Sequence, residues 1–379
     1  MSDVPASMKP GQGASLVGVS LGQDAWRQLR KSRVAMLCLG LLVAIFLSAF
    51  FTPLLPFRPP DEISTARQYA PPQLTPLWEK TFDLDWQAIQ AADKLPSRSS
   101  GDFDAAVQRP YRDAGFPELT KLSRAMVHAR YRLFGQWQLA SICGRDELGR
   151  DLLSRVFWGA RISLVVGLVA AAVSLVIGVT YGSIAGYIGG TVDKAMMRLV
   201  DVLYSVPFIF IVIFLLTIIG QEDVKLWLAN HGIDRITIFY LVVGAVYWLT
   251  MARVVRGQVI SLKTEPFVEA ARAMGLTQSR IIARHIFPNL VGIVIVYLTL
   301  TIPRVMLFEA FLSFLGLGVE PPDVSWGLLA NEGIKVITPV KIYWWLIVFP
   351  SLALGITLFA LNFLGDRLRD ALDPKMKGR

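Results

Sequence analysis

The sequence is poor in the residues that do chemistry. It has two cysteines, Cys38 inside an apolar run and Cys143 in a polar region, a placement that argues against an internal disulfide. Three histidines, His128, His231 and His285, are scattered along 379 residues, which leaves neither a metal-binding framework nor a hydrolytic constellation. No G-x-x-x-x-G-K-[ST] string occurs, so the chain has no phosphate cradle for ATP, and H-E-x-x-H is missing too. Ser183 follows Gly182, but Tyr181 and Thr180 stand where a G-x-S-x-G nucleophile elbow needs other residues. No catalytic residue, no bound cofactor and no metal is therefore expected of this chain.

Charged residues make up only 18% of the chain, and 38 Lys plus Arg against 29 Asp plus Glu leave a net charge of +9. The basic residues that matter lie beside apolar runs, where they set topology, so nucleic acid is not an expected partner. Apolar residues, by contrast, reach 54% at a mean hydropathy of +0.49, too apolar for a soluble domain. The composition is that of an all-α polytopic membrane protein whose partner is the lipid bilayer.

Residues 1 to about 25 are rich in Gly, Ser and Pro, a composition that predicts disorder. Arg27, Arg30, Lys31 and Arg33 then precede an apolar run over 34–55. It is longer than a signal-peptide core and lacks a small-residue cleavage site, so an uncleaved first span with a cytoplasmic N-terminus is expected. From 56 to 155 nothing can cross a bilayer, and 14 basic residues nearly balance 13 acidic ones. Trp78, Trp86, Tyr111 and Trp137 among the prolines there predict a small ordered cap. Two roles stay open for it: a docking surface, or an insertion that shields the rest.

Further spans are expected at 162–188, 199–220, 236–251, 290–317 and 343–364. Gly178, Gly182 and Gly186 recur every four residues in the second span, a stripe that lets another helix approach closely. Membrane helices are also simply rich in glycine, so packing is one of two readings. Asp193, Lys194 and Arg198 mark a short turn before the third span, and Arg198 can pair with Asp201 three residues on. Pro303 should bend or locally unwind the fifth span. Arg304 and Glu309 follow within it, although a charge in a span costs roughly 2.5–3.5 kcal/mol on insertion scales. They either line a translocation path or anchor the outer half of the helix.

Between the fourth and fifth spans lies EPFVEAARAMGLTQSRIIARHIFPN, residues 265–289. Phe267, Ala270, Ala271 and Met274 fall on one helical face. Thr264 is the expected N-cap, Pro266 sits in the first turn, and Gly275 follows the last periodic residue as a left-handed cap. A second helix after Thr277 should end or bend near Phe287, ahead of Pro288. The outcome is two short helices joined at a glycine elbow. With the N-terminus inside, the basic loops after spans two, four and six share one side, and basic residues from Arg367 and Arg369 to Lys375, Lys377 and Arg379 place the C-terminus there too.

Glu269-Ala270-Ala271, three residues, Gly275, eight residues and Arg284-His285-Ile286-Phe287-Pro288-Asn289 resemble the EAA loop of bacterial ATP-binding cassette (ABC) import permeases. His285 in this place is the form of the peptide and nickel branch. Gly144-Arg145-Asp146-Glu147-Leu148-Gly149-Arg150-Asp151 resembles the string that opens the core of dipeptide and oligopeptide permeases, as does Arg198-x-x-Asp201 with Pro207. So do Leu312-Ser313-Phe314-Leu315-Gly316-Leu317-Gly318 and Pro321-Pro322-x-x-Ser325-Trp326-Gly327.

The resemblance implies a MetI-like core with six transmembrane helices in a bacterial inner membrane. It makes Glu269, Ala270, Ala271, Arg272, Gly275, Arg284, His285 and Pro288 the loop that couples to ATPases. It also implies a second, homologous permease subunit, two cytoplasmic ABC ATPase domains that carry the ATP and Mg, and a periplasmic solute-binding protein. The expected division is a cytoplasmic tail 1–33, a first helix 34–55, a periplasmic insertion of about 90 residues at 56–143, a core 144–366 with its loop at 263–289, and a tail 367–379. The long insertion is similar to that of the microcin C and oligopeptide branch, with nickel as the alternative cargo. A non-energised channel, a scaffold and an intramembrane enzyme are the competing classes.

Overall fold

The computed structural model describes residues 21–80, 87, 89, 100–230, 235–321 and 323–372. The tail 1–20, Trp86, His231, Pro322, Lys375, Lys377 and Arg379 lie outside the described residues.

An amphipathic helix, α1 (Leu21–Lys31), leads into α2 (Arg33–Phe50), which is capped where the Ala35 amide donates to Ser32 Oγ at 3.3 Å. The span stops at Phe50, short of the expected residue 55, because Pro53 cannot continue an α-helix and residues Thr52–Leu54 tighten into a single 3-10 turn.

The cap is ordered. Strands β1 (Trp78–Lys80) and β2 (Trp137–Leu139) pair antiparallel, the one departure from helix among its described elements, and α3 (Ser100–Asp113) and α4 (Lys121–Phe134) lie between them in the chain. Tyr111, Phe116 and Val127 close over Trp158 of the membrane core. Buried Arg130 reaches back to the carbonyls of Leu55 and Phe57 at 3.1 and 3.0 Å, and burial pushes its guanidinium down to about 10.

The second span is a 37-residue rod: α5 (Leu152–Val173), a π turn at Ser174–Gly178 and α6 (Val179–Ile188). It starts ten residues before the expected residue 162, because Asp151 caps it through the Ser154 amide at 3.0 Å. Gly189 and Gly190, both at positive φ, turn the chain into α7 (Gly190–Ser205). The expected short turn at 193–198 is thus helical. The third span is also not one straight rod: α7 and α8 (Phe208–Ile219) meet at 80° around Val206 and Pro207, where the proline supplies no amide to bridge the break.

After α9 (Glu222–Asn230), α10 (Arg235–Leu262) runs eleven residues past the expected end at 251, so Arg253 and Arg256 are helical. Two short helices, α11 (Pro266–Ala273) and α12 (Gln278–Ile281), follow it in the 263–289 loop. A π turn at Ile282–Ile286 joins α12 to α13 (Phe287–Phe314), making the fifth span another 37-residue rod. Neither proline breaks it. The expected end near Phe287 does not occur, since the wider π turn makes room for the Pro288 ring, and α13 stays helical through Pro303. A short α14 (Trp326–Lys335) and the last span, α15 (Trp345–Leu372), complete the chain.

Helices α5, α6, α10 and α13 form the centre, and α15 and α2 close one side. Cys38 and Cys143 are both buried free thiols. By length and composition there are five bilayer-spanning helices among the described residues, or six with the bent pair.

Candidate functional site

Residues 263–289 form a capped elbow built onto the core. The Gly275 amide donates to the Arg272 carbonyl at 3.0 Å and the Leu276 amide to the Ala271 carbonyl at 3.2 Å, the paired bonds of a Schellman cap, with Gly275 at φ +78°. The N-cap is Glu265, not Thr264. Pro266 holds the residue before it extended, and the Thr264 hydroxyl donates to the Ser261 carbonyl of the preceding helix instead.

The buried face of α11 also differs from the expected one. Val268 and Ala271 point inward, joined by Ile281, Ile286 and Leu290 to Val255 and Val259 of α10. Phe267, Ala270 and Met274 face outward with Glu269. Periodicity found an apolar stripe, yet the helix is apolar on two sides. The core took the stripe whose neighbours α10 and α13 could cover. Arg272 lies over the Tyr187 ring at 5.9 Å. Arg284 and Pro288 are exposed, while His285 is half-buried and its carbonyl accepts from Asn289 Nδ2 at 2.7 Å.

The glycine stripe lies directly behind this elbow. A Cβ on Gly178 would stand 2.6 Å from Met251 Cβ, one on Gly182 2.4 Å from the Ala252 carbonyl oxygen, and one on Gly186 2.8 Å from that of Arg256. Backbone touches backbone along the α6–α10 seam. Polar ties run beside it: Arg256 grips Asp193 and Lys263 Nζ donates to the Gly186 carbonyl at 3.1 Å. Asp201 bonds Arg253 at 2.7 Å and not Arg198, because the arginine on α10, stacked 4.0 Å over the Tyr204 ring, reaches it across the helix pair.

At the other end of the bundle the charged strings converge. Buried Arg155 bonds Asp146 at 2.6 Å and Glu332 of α14 at 2.5 Å, and Arg150 bonds Asp146 at 2.7 Å and Asp61 of the cap at 3.3 Å. Burial raises the Asp61 carboxyl despite these arginines. Below this cluster, Glu309 is fully buried, accepting from Ser313 Oγ at 2.7 Å and Ser163 Oγ at 3.3 Å, while the Trp326 amide donates to Ser163 Oγ at 3.2 Å. Glu309 therefore ties α5, α13 and the start of α14 together. Arg304 is exposed on a different side of α13. Sequence reasoning missed Ser163, Glu332 and the partnership of Arg155. Arg155 lies four residues past the Arg145–Asp151 string, Ser163 twelve past it and Glu332 five past Ser325–Gly327, so the strings point to this region without giving these residues their partners.

An apolar cavity of about 460 Å³ opens at the α7–α8 break, walled by Tyr204, Pro207, Phe208, Tyr247 and Thr250. No cluster of three metal-binding side chains occurs among the described residues.

Residues 178–378 match the family described as binding-protein-dependent transport system inner membrane component, and residues 20–72 match the N-terminal TM domain of oligopeptide transport permease C. The oligopeptide transport system permease protein OppC of Salmonella typhimurium is 39% identical over 358 residues, 94% of this chain and 92% of its own. OppC of Escherichia coli is 51% identical over 61% of this chain and 72% of its own length, and the dipeptide permease DppC of Bacillus subtilis is 42% identical over 62% and 68%. The inward-facing methionine transporter MetNI is similar over 59% of this chain and 98% of its own, at 18% identity and a TM-score of 0.46. A multi-pass helical chain that matches along both its first span and its core in this way belongs to the binding-protein-dependent transport system inner membrane components, the permease subunits of ABC importers.

Proposed function

We propose that this chain is a permease subunit that imports peptides across the bacterial inner membrane, driven by ATP hydrolysed on separate subunits. The observation that carries the reading is the construction of α11. Val268 and Ala271 anchor it in the same apolar core as α6, α10 and α13, while Phe267, Ala270, Met274 and Glu269 stay free to meet an ATPase cleft. Displacement of the elbow by closing ATPases is passed to α10 and α13 through that core, and to α6 and α7 through Arg256 and Lys263. The salt-bridged outer end holds α14 against α5 until that motion arrives.

The partners are two cytoplasmic ATPase domains, a second, homologous permease and a solute-binding protein, with the elbow and both termini on the cytoplasmic side. The insertion at 56–143, braced on Trp158, supplies a rigid outer platform for the binding protein. Peptide and not nickel is the favoured cargo, because the relatives that match along 94% of this chain are named for oligopeptides and dipeptides. Within that class, the microcin C type of substrate is one oligopeptide-like candidate.

Co-purification tests the assembly: an ATPase pair should be retained by the wild-type chain and lost with Glu269→Lys. Reconstituted vesicles test the activity. Peptide flux without ATP or binding protein would make this a channel instead.

A further inference from the structure

A cation midway along a bilayer-length helix must face water, protein or an anion, since lipid offers it no partner. Arg304 stands on α13 ten residues from the outer end at Phe314, about 15 Å along the axis. Its side chain is exposed in this chain, and it enters no ion pair among the described residues. Glu309 does not neutralise it. Five residues on, that carboxylate points to another side of the helix and is enclosed by the serines of α5 and α13.

The surroundings of Arg304 are specific. Tyr247 of α10 donates its hydroxyl to the Arg304 carbonyl at 3.4 Å. Phe308, one turn further along, packs on Phe208 with ring centroids 4.7 Å apart and lies 6.5 Å from the Tyr247 ring. Tyr247 and Phe208 are walls of the apolar cavity at the α7–α8 break. The backbone that carries Arg304 thus stands one side chain, Tyr247, away from an apolar cavity of about 460 Å³, at membrane depth.

We propose that Arg304 receives the C-terminal carboxylate of a peptide in transit, with the cavity beside it taking an apolar side chain of the same peptide. The proposal rests on the peptide-import reading. A planar guanidinium matches a carboxylate with two parallel hydrogen bonds, and desolvation at this depth strengthens them. One such exposed contact holds the anion without trapping it, as a path that must also release its cargo requires. The rival occupant is an acidic side chain of the second permease.

The test uses the complete importer in vesicles, with trialanine and trialanine amide as probes, in the wild type, Arg304→Gln and Arg304→Lys. Comparing the ratio of the two probes between variants cancels any preference of the binding protein. We expect the wild type to favour the free carboxylate, Arg304→Gln to lower that ratio about tenfold with the ATPases still attached, and Arg304→Lys to restore part of it. An unchanged ratio in Arg304→Gln overturns the inference, as does equal wild-type uptake of the two probes. Loss of the second permease on purification of Arg304→Gln overturns it as well, assigning the arginine to subunit pairing. Failure of the wild type to take up either probe with ATP would overturn the peptide reading itself, and this inference with it.

Discussion

Asp193 and Arg256 meet in a two-pronged ion pair, Nε to Oδ1 at 2.5 Å and a terminal guanidinium nitrogen to Oδ2 at 2.7 Å, which fastens the start of α7 to the C-terminal end of α10. The pair sits where the Gly186 end of the stripe meets the Arg256 carbonyl, so charge and close packing hold the same joint.

Breaking the pair from one side leaves the other charge half-buried. Asp193→Asn and Arg256→Met should each destabilise the joint by about 1–3 kcal/mol and lower ATP-driven uptake several-fold. The exchanged double variant, Asp193→Arg with Arg256→Asp, should recover part of both. Purified complexes report the stability and vesicles the uptake. Additive losses in the double variant would sink the claim that the two act as a unit.

Gly182→Leu should push α6 off α10, because its first side-chain atom would already overlap the Ala252 carbonyl. A loss of about 1–3 kcal/mol is expected, as for overpacked interiors. Gly257→Ala is the matched control: nothing lies within 4 Å of its Cβ, and the thermal midpoint should be unchanged or slightly raised. If both variants behave alike, helix propensity and not packing governs the seam.

At Gly275 there is open space but a left-handed backbone. Gly275→Val should therefore cost about 1–2 kcal/mol of local strain, and Gly275→Asn much less. Gly275→Pro cannot adopt the required φ, and should insert in the membrane yet abolish uptake and peptide-stimulated ATPase activity. Normal uptake by the proline variant would remove this elbow from the coupling route.

Asp151 caps α5 from a buried position, and burial pushes its carboxyl up from 3.8 to about 6. Between those values the folded chain holds a proton that the unfolded chain has released. Stability from this group is complete below about pH 4 and falls as the pH rises to about 6, by up to about 3 kcal/mol. Asp151→Asn keeps the cap and cannot ionise. Its unfolding midpoint relative to wild type should rise between pH 4 and 7. A constant difference would mean that Arg58 and Arg145 keep the carboxylate charged throughout.

Hydropathy alone locates the spans well, yet it misplaces their ends. It measures where lipid is, whereas helices continue as long as caps and packing allow. Arg253 and Arg256 fall beyond the span expected at 236–251, but each finds a carboxylate on α7. The 80° break is marked in the sequence by Pro207, although nothing there gives its angle. The left-handed cap at Gly275 was legible because only local backbone chemistry decides it. The buried side of α11 was not, because two apolar stripes were available and distant helices chose between them. Glu309 was equally opaque: its serine partner on α5, Ser163, lies 146 residues away.

The π turn at Ile282–Ile286 fixes an angle as well as a shape. Such a turn accommodates one residue more than an α turn, so everything downstream is rotated by roughly 100° from where a regular wheel would draw it. A straight helical projection from His285 would accordingly send Arg304 to the wrong compass point. Excising one residue here would swing the whole C-terminal half of the rod, turning its arginine to another side and its buried glutamate out of the serine nest, without altering a single side chain in either place.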